Sequence, residues 1–176
     1  IASGEITNER LLRSVASKGK PVILSTGMAT PEEIEDARDW LILRGVIPPL
    51  FLLHCVSAYT APAEEMNLRA IQEMERDYGQ WIWGVGLSDH SLGITIPIAA
   101  VAMGAAIIEK HLTLDTRMEG PDHHMSAGPK TFRLMVEAIR TVEAAMGDGV
   151  KRCQPSEMEM RRQARRDPVT GKRPPR

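Results

Sequence analysis

His90 and His111 occupy parallel settings, Gly86-Leu87-Ser88-Asp89-His90 and Ile107-Ile108-Glu109-Lys110-His111, each at the end of a short apolar run. Neighbouring parallel strands lie about 4.8 Å apart, so imidazoles projecting from two successive strand ends can share one ion. Such a site has two nitrogen donors and leaves its other positions to oxygen, which favours Mn²⁺ or Mg²⁺ over a structural Zn²⁺. A lone strand-end histidine is more often a hydrogen-bonded structural residue, and it is the pair that points to metal. His54 is a third strand-end histidine, next to Ser57, while His123 and His124 fall in the loop after the last strand.

Hydroxyls recur at the same places: Ser3 with Glu5, Ser25-Thr26-Gly27, Ser57, and Ser88. Hydroxyls and backbone N–H groups at turns that lead into helix N-termini hold phosphate, and Ser25-Thr26-Gly27 before a helix start at Thr30-Pro31 is the best such turn. Read alone, Ser25 caps a strand end and Gly27 supplies a turn. Four hydroxyl-bearing strand ends around one rim favour an anionic ligand.

Those residues need a scaffold that brings strand ends together. Four aliphatic runs, 21–25, 50–55, 85–88 and 106–111, are spaced by roughly one βα unit, and near-continuous apolar strands suit a parallel sheet covered on both faces. Between them the pattern predicts helices from Thr30-Pro31 to about Arg44, stopping near Gly45, and over about 64–77, 94–103 and 129–146. Phe132, Met135, Val136, Ile139 and Val142 form the core stripe of the last one. After Gly147-Asp148-Gly149 the chain turns basic through Arg161-Arg162-Gln163-Ala164-Arg165-Arg166 and loses apolar periodicity, which reads as a linker and tail.

A formal net charge of -1 with 26% charged residues gives no global basic field of the sort nucleic-acid binding requires. No apolar stretch is long enough for a membrane span, and the pattern of a secretory signal is missing. Cys55 and Cys153, the only cysteines, lack metal-type spacing and suit free thiols in a reducing compartment, so a cytoplasmic location is expected. The opening on Ile1, with no methionine, suggests a start internal to a longer polypeptide.

Six ordered motifs carry a resemblance: residues 1–8 (Ile-Ala-Ser-Gly-Glu-Ile-Thr-Asn), 24–28 (Leu-Ser-Thr-Gly-Met), 53–59 (Leu-His-Cys-Val-Ser-Ala-Tyr), 86–93, 108–115 and 120–123 (Gly-Pro-Asp-His). In order and spacing they resemble the N-acetylneuraminate (sialic acid) synthase family, which includes legionaminic and pseudaminic acid synthases, over about residues 1–166. The resemblance implies an α/β fold, a (β/α)8 TIM barrel present as roughly its C-terminal half over 1–148. Residues 149–176 then form a linker and basic tail where the family has an antifreeze-like domain. By matching motifs, His90 and His111 resemble the metal ligands, with Mn²⁺ expected and Mg²⁺ or Co²⁺ as alternatives. Ser3, Ser25, Ser57 and Ser88 fall at or close to positions that hold phosphoenolpyruvate. Glu5 resembles the acid/base glutamate, and Asp122 an aspartate near metal and sugar.

The implied reaction joins C3 of phosphoenolpyruvate to the aldehyde of an N-acyl amino sugar, adds water at C2 and releases phosphate by C–O cleavage. The implied assembly is a homodimer, with neither nucleic acid nor membrane as partner. Tyr59-Thr60 stands where the family has Tyr-Pro. The family's first strands and a lysine before the Ile1 motif are outside this sequence, so residues 1–176 by themselves are expected to be inactive. Two competing readings are a deoxy-heptulosonate phosphate synthase type of barrel, and a truncated, non-catalytic half-barrel that associates through its open edges.

Overall fold

The computed structural model describes residues 1–42 and 48–173 of the 176-residue chain. They fall into two units, Ile1–Ala145 and Met146–Arg176. The first holds a four-stranded parallel sheet in the order β1-β2-β3-β4, with β1 Val22–Ser25, β2 Leu50–Cys55, β3 Gly84–Asp89 and β4 Ile108–Lys110. Sequential strands that lie side by side in parallel need a crossover each, and helices supply them. They are α2 Pro31–Leu41, α3 Ala70–Tyr78 and α4 Thr95–Ala102, while α1 Glu9–Ala16 precedes β1 and α5 Pro129–Met146 follows β4.

Because strand side chains alternate, the pairing register sorts the sheet into two faces. Val22–Leu50 and Leu24–Leu52–Val85 are rows on one face. Each of these residues is at most 3% exposed and joins the core with Leu12 and Ala16 of α1, Ala37 and Leu41 of α2 and Ile71 of α3. Full burial of a Leu or Val side chain contributes about 1.5–3 kcal/mol relative to exposure, so this face anchors the sheet to its helices. The other face carries the rows Ile23–Phe51–Gly84, Ser25–Leu53–Gly86 and Cys55–Ser88–Glu109. Leu53, fully buried, lies outside the helix-side core, as this parity requires.

Gly86 allows β4 to approach, since a Cβ there would sit 2.5 Å from the Ile107 carbonyl oxygen and 2.6 Å from Leu53 Cδ2. At the outer side of β1 the Ile1 main chain exchanges hydrogen bonds with Ile23 and Ser25, which extends the parallel pairing by one residue. Beyond β4, Leu112 pairs in parallel with Ala127.

The strands match the sequence pattern and α5 has the expected span, but of its expected core stripe only Met135 and Ile139 are buried, Phe132 and Val142 are half-buried and Val136 is exposed. α2 starts at Pro31 as expected and is described to Leu41; the end foreseen at Arg44 and Gly45 lies outside the described residues. α3 begins at Ala70, not near 64, because 63–65 form a 3-10 turn and Asn67 takes a positive φ of 40°. α1 was not foreseen; Asn8 caps it through a 3.1 Å bond from Leu11 N–H. The second unit contains a short helix, α6 Met158–Ala164, within the segment read as linker. Among the described residues, no helix is long and apolar enough to cross a membrane.

Candidate active site

Ser88, one residue before the end of β3, is in register with Cys55 of β2 and Glu109 of β4, and its hydroxyl donates to Glu109 Oε1 at 2.6 Å. Two residues further along each strand come Ser57, His90 and His111. The imidazole centroids of His90 and His111 are 5.3 Å apart and nearly perpendicular, at 76°. Tyr59, whose peptide bond to Thr60 is cis, lays its ring 4.3 Å from that of His90 and 5.9 Å from that of His111. Burial first, then the negative charges of Cys55, Asp122 and Glu109, raise the Tyr59 phenol pKa.

His90 Nδ1 lies 2.8 Å from the Val56 carbonyl oxygen. Only a ring N–H can make that bond, so in the neutral ring Nδ1 carries the hydrogen and Nε2 keeps its lone pair. The Cys55 thiol is a longer neighbour, 3.9 Å from the same nitrogen. It is the largest cause raising the His90 pKa; burial opposes the rise, and the Val56 carbonyl and Asp89 add to it. Burial pushes the Cys55 thiol up, but hydrogen bonding with His90, Ser3 and Ser57 outweighs it and the net shift is downward. His111 Nδ1 is 3.9 Å from Asp122 Oδ2.

Among the described residues, no group of three or more His, Cys, Asp and Glu side chains is placed to hold a metal ion. Two imidazoles with open positions around them suit a hard divalent ion that takes its other ligands from water and substrate oxygens, and not a closed structural zinc centre.

A second cluster stands beside the histidines. Ser3 accepts from Gly27 N–H at 3.1 Å and donates to Cys55 Sγ at 3.6 Å, and Cys55 Sγ is 3.8 Å from Ser57 Oγ. A Cβ at Gly27 would collide with Ser57 Oγ and would come within 2.8 Å of Ser3 Oγ and 3.0 Å of Cys55 Sγ. Ser3, Gly27, Cys55 and Ser57 therefore pack as one cluster of small polar groups that only a glycine at 27 permits. Its Gly27 amide and Ser3 hydroxyl bond within the cluster, and the α2 N-terminus is likewise occupied by its own capping box. Glu33 N–H donates to Thr30 Oγ1 and Thr30 N–H donates to Glu33 Oε2. A carboxylate already complements that helix end, so α2 adds less to anion binding than the sequence suggested.

Of the residues singled out from sequence, His90, His111, Asp122, Ser88, Ser57 and Ser3 belong to these two adjoining clusters. Ser25 lies on the same face one row deeper, in register with Leu53. Glu5 stands apart: it is exposed, and its carboxylate accepts a 2.7 Å bond from Asn8 Nδ2. His54 belongs to the opposite face, where its Nε2 is 2.7 Å from the Met66 carbonyl oxygen. Cys55, Tyr59 and Glu109 were not singled out; the parity that aligns Cys55 and Glu109 with Ser88 was the available signal.

A parallel βα sheet with polar side chains gathered beyond the carboxyl ends of its strands defines an α/β fold of the half-barrel kind. Residues 1–151 match the NeuB family model, and the chain belongs to that family. It is similar to an uncharacterized protein of Methanocaldococcus jannaschii, 48% identical over 96% of this chain and 49% of that one. An N,N'-diacetyllegionaminic acid synthase of Campylobacter jejuni is 46% identical over 90% of this chain and 47% of the relative. Among solved structures, an N-acetylneuraminic acid (sialic acid) synthetase of Leptospira borgpetersenii in complex with citrate superposes with a TM-score of 0.80 at 41% identity. That match covers 95% of this chain and 58% of the other. The chain thus spans about half the length of the curated relatives it matches.

Proposed function

We propose that this chain supplies the metal-binding and enolpyruvate-binding part of a nonulosonic acid synthase site on a (β/α)8 barrel. The reaction condenses phosphoenolpyruvate with N-acetylmannosamine or a related diacetamido hexose and releases phosphate. The observation that carries it is the convergence, on one sheet face, of an imidazole pair with a cluster of serine hydroxyls, a thiol and a turn amide. Similarity to relatives named as legionaminic, pseudaminic and N-acetylneuraminate-9-phosphate synthases supports the same reading.

In this reading His90 and His111 hold Mn²⁺, with Mg²⁺ or Co²⁺ as substitutes. A divalent ion held by His90 and His111 would supply Lewis-acid stabilisation for the charge that the aldehyde oxygen gains as the C–C bond forms. Ser3, Ser57 and Ser88, with Ser25 beneath, orient the enolpyruvate, because positioning two small polar reactants supplies much of the rate. Asp122, beside His111, would face the sugar, and Glu5 would be the acid/base group that moves a proton to or from the water or the sugar. A homodimer in the cytoplasm completes the proposal.

The test is Mn²⁺-dependent phosphate release from phosphoenolpyruvate with N-acetylmannosamine or the diacetamido sugar, in the complete enzyme that contains these residues. His90→Ala and His111→Ala should each abolish it and weaken Mn²⁺ binding in calorimetry. Full activity with metal retained in both variants would overturn the reading.

A further inference from the structure

Behind the histidine pair, on the helix-facing side of the sheet, lies an ion pair that the proposed chemistry does not use. Asp89 and Lys110 are directly paired across β3 and β4, with side chains 0% and 2% exposed. Lys110 Nζ donates to Asp89 Oδ2 at 2.6 Å and to the Ser91 carbonyl oxygen at 2.7 Å. The other carboxylate oxygen, Oδ1, accepts from Ser91 N–H at 2.9 Å and from the Ser91 hydroxyl at 2.6 Å. The residue before His90 and the residue after it are thus tied to each other and to the residue before His111.

Stability alone does not account for this pair. Desolvating two charges offsets much of their attraction, and replacing such pairs with apolar residues of similar volume is often neutral or stabilising. Placement accounts for it better. Each histidine alternates to the opposite face from its clamped neighbour, so fixing the peptide on both sides of residue 90 and at residue 110 fixes where the two imidazoles emerge. Groups behind metal ligands that orient them typically change metal affinity by about 10–100-fold when mutated.

We propose that Asp89, Lys110 and Ser91 form a positioning clamp that sets the separation and orientation of His90 and His111 for a shared divalent ion. The inference rests on the metal reading of those histidines but can fail independently of it.

The test uses the complete enzyme and the paired apolar replacement Asp89→Leu/Lys110→Met, with Asp89→Asn as a milder variant that keeps the shape. Two readouts other than turnover are taken. One is the Co²⁺ dissociation constant with its visible ligand-field spectrum. The other is the His90 ring tautomer without metal, from ring ¹⁵N shifts at a pH where the ring is neutral. The clamp predicts that the double variant keeps its melting cooperativity, loses about 10–100-fold in Co²⁺ affinity with an altered spectrum, and no longer holds His90 in the single Nδ1–H form. A double variant with wild-type Co²⁺ affinity, spectrum and tautomer would overturn it. If the wild type binds no Co²⁺ but the tautomer is still lost in the double variant, the metal reading fails and the positioning role stands. Should the double variant not fold, Asp89→Asn decides by the same two readouts.

Discussion

At the scale of single residues, the absence of one side chain matters as much as the presence of others. Gly27 leaves the space into which Ser3, Cys55 and Ser57 project, and its own N–H holds the Ser3 hydroxyl. Gly27→Ala should therefore displace two hydroxyls at once in the complete enzyme. If each charge-assisted hydrogen bond to the enolpyruvate is worth about 1.5–3 kcal/mol, the KM for phosphoenolpyruvate should rise by at least about tenfold. The KM for the sugar should change less, since the added methyl meets the histidine side only through Cys55. Steady-state kinetics with each substrate varied in turn check this, and an unchanged phosphoenolpyruvate KM would remove the Gly27 cluster from the enolpyruvate site. Ser88→Ala should act more weakly, because its hydroxyl already serves Glu109. The residues named from sequence were mostly those whose type is conspicuous, histidine and serine. Parity along β2 would have placed His54 with Leu52 on the helix side and Cys55 with Ser88 on the open side; reading strand ends as a set, without their alternation, hid that difference.

At the scale of elements, the local sequence decides where strands and helices lie and leaves their exact ends to turn geometry. The aliphatic runs of β1 and β2 admit few other structures, and Thr30-Pro31-Glu32-Glu33 announces the start of α2 through cap, proline and charge together. The 3-10 turn at 63–65 and the positive φ of Asn67 delay α3 without any loss of apolar pattern, so the pattern alone could not place its start. α1 is only eight residues long, too short for its stripe to stand out. The self-contained cap of α2 makes a prediction at this scale. Thr30→Ala should lower stability by about 1 kcal/mol, read as a shift in the urea midpoint with an unchanged slope. Phosphoenolpyruvate kinetics should stay as they are, since the box faces its own helix. A rise in KM with no loss of stability would show instead that this helix end belongs to the ligand site.

For the whole molecule, the question is whether residues 1–176 can do the proposed chemistry as a separate polypeptide. The described sheet has four strands; its outer pairings are a single residue at Ile1 beside β1 and a single bridge from Leu112 to Ala127 beyond β4. A barrel keeps its interior dry by closing hydrogen bonds from first strand to last, and a sheet left open exposes that interior to water and its edges to other chains. On this chain Ile23, on the open face, is 42% exposed, and Trp83 at the foot of β3 is 70% exposed. Relatives about twice as long have further chain with which to cover such surface. Water at the open strand ends weakens every fixed dipole there, and Glu5 is exposed where the proposed proton transfer needs it enclosed. The isolated polypeptide should therefore give no phosphate release from phosphoenolpyruvate and N-acetylmannosamine with Mn²⁺ present, while the complete enzyme, assayed in parallel, turns over. Size-exclusion chromatography should show self-association through the open sheet. Turnover within about tenfold of the complete enzyme would mean that four strands suffice to enclose the reactants, and that the roles assigned here do not depend on barrel closure.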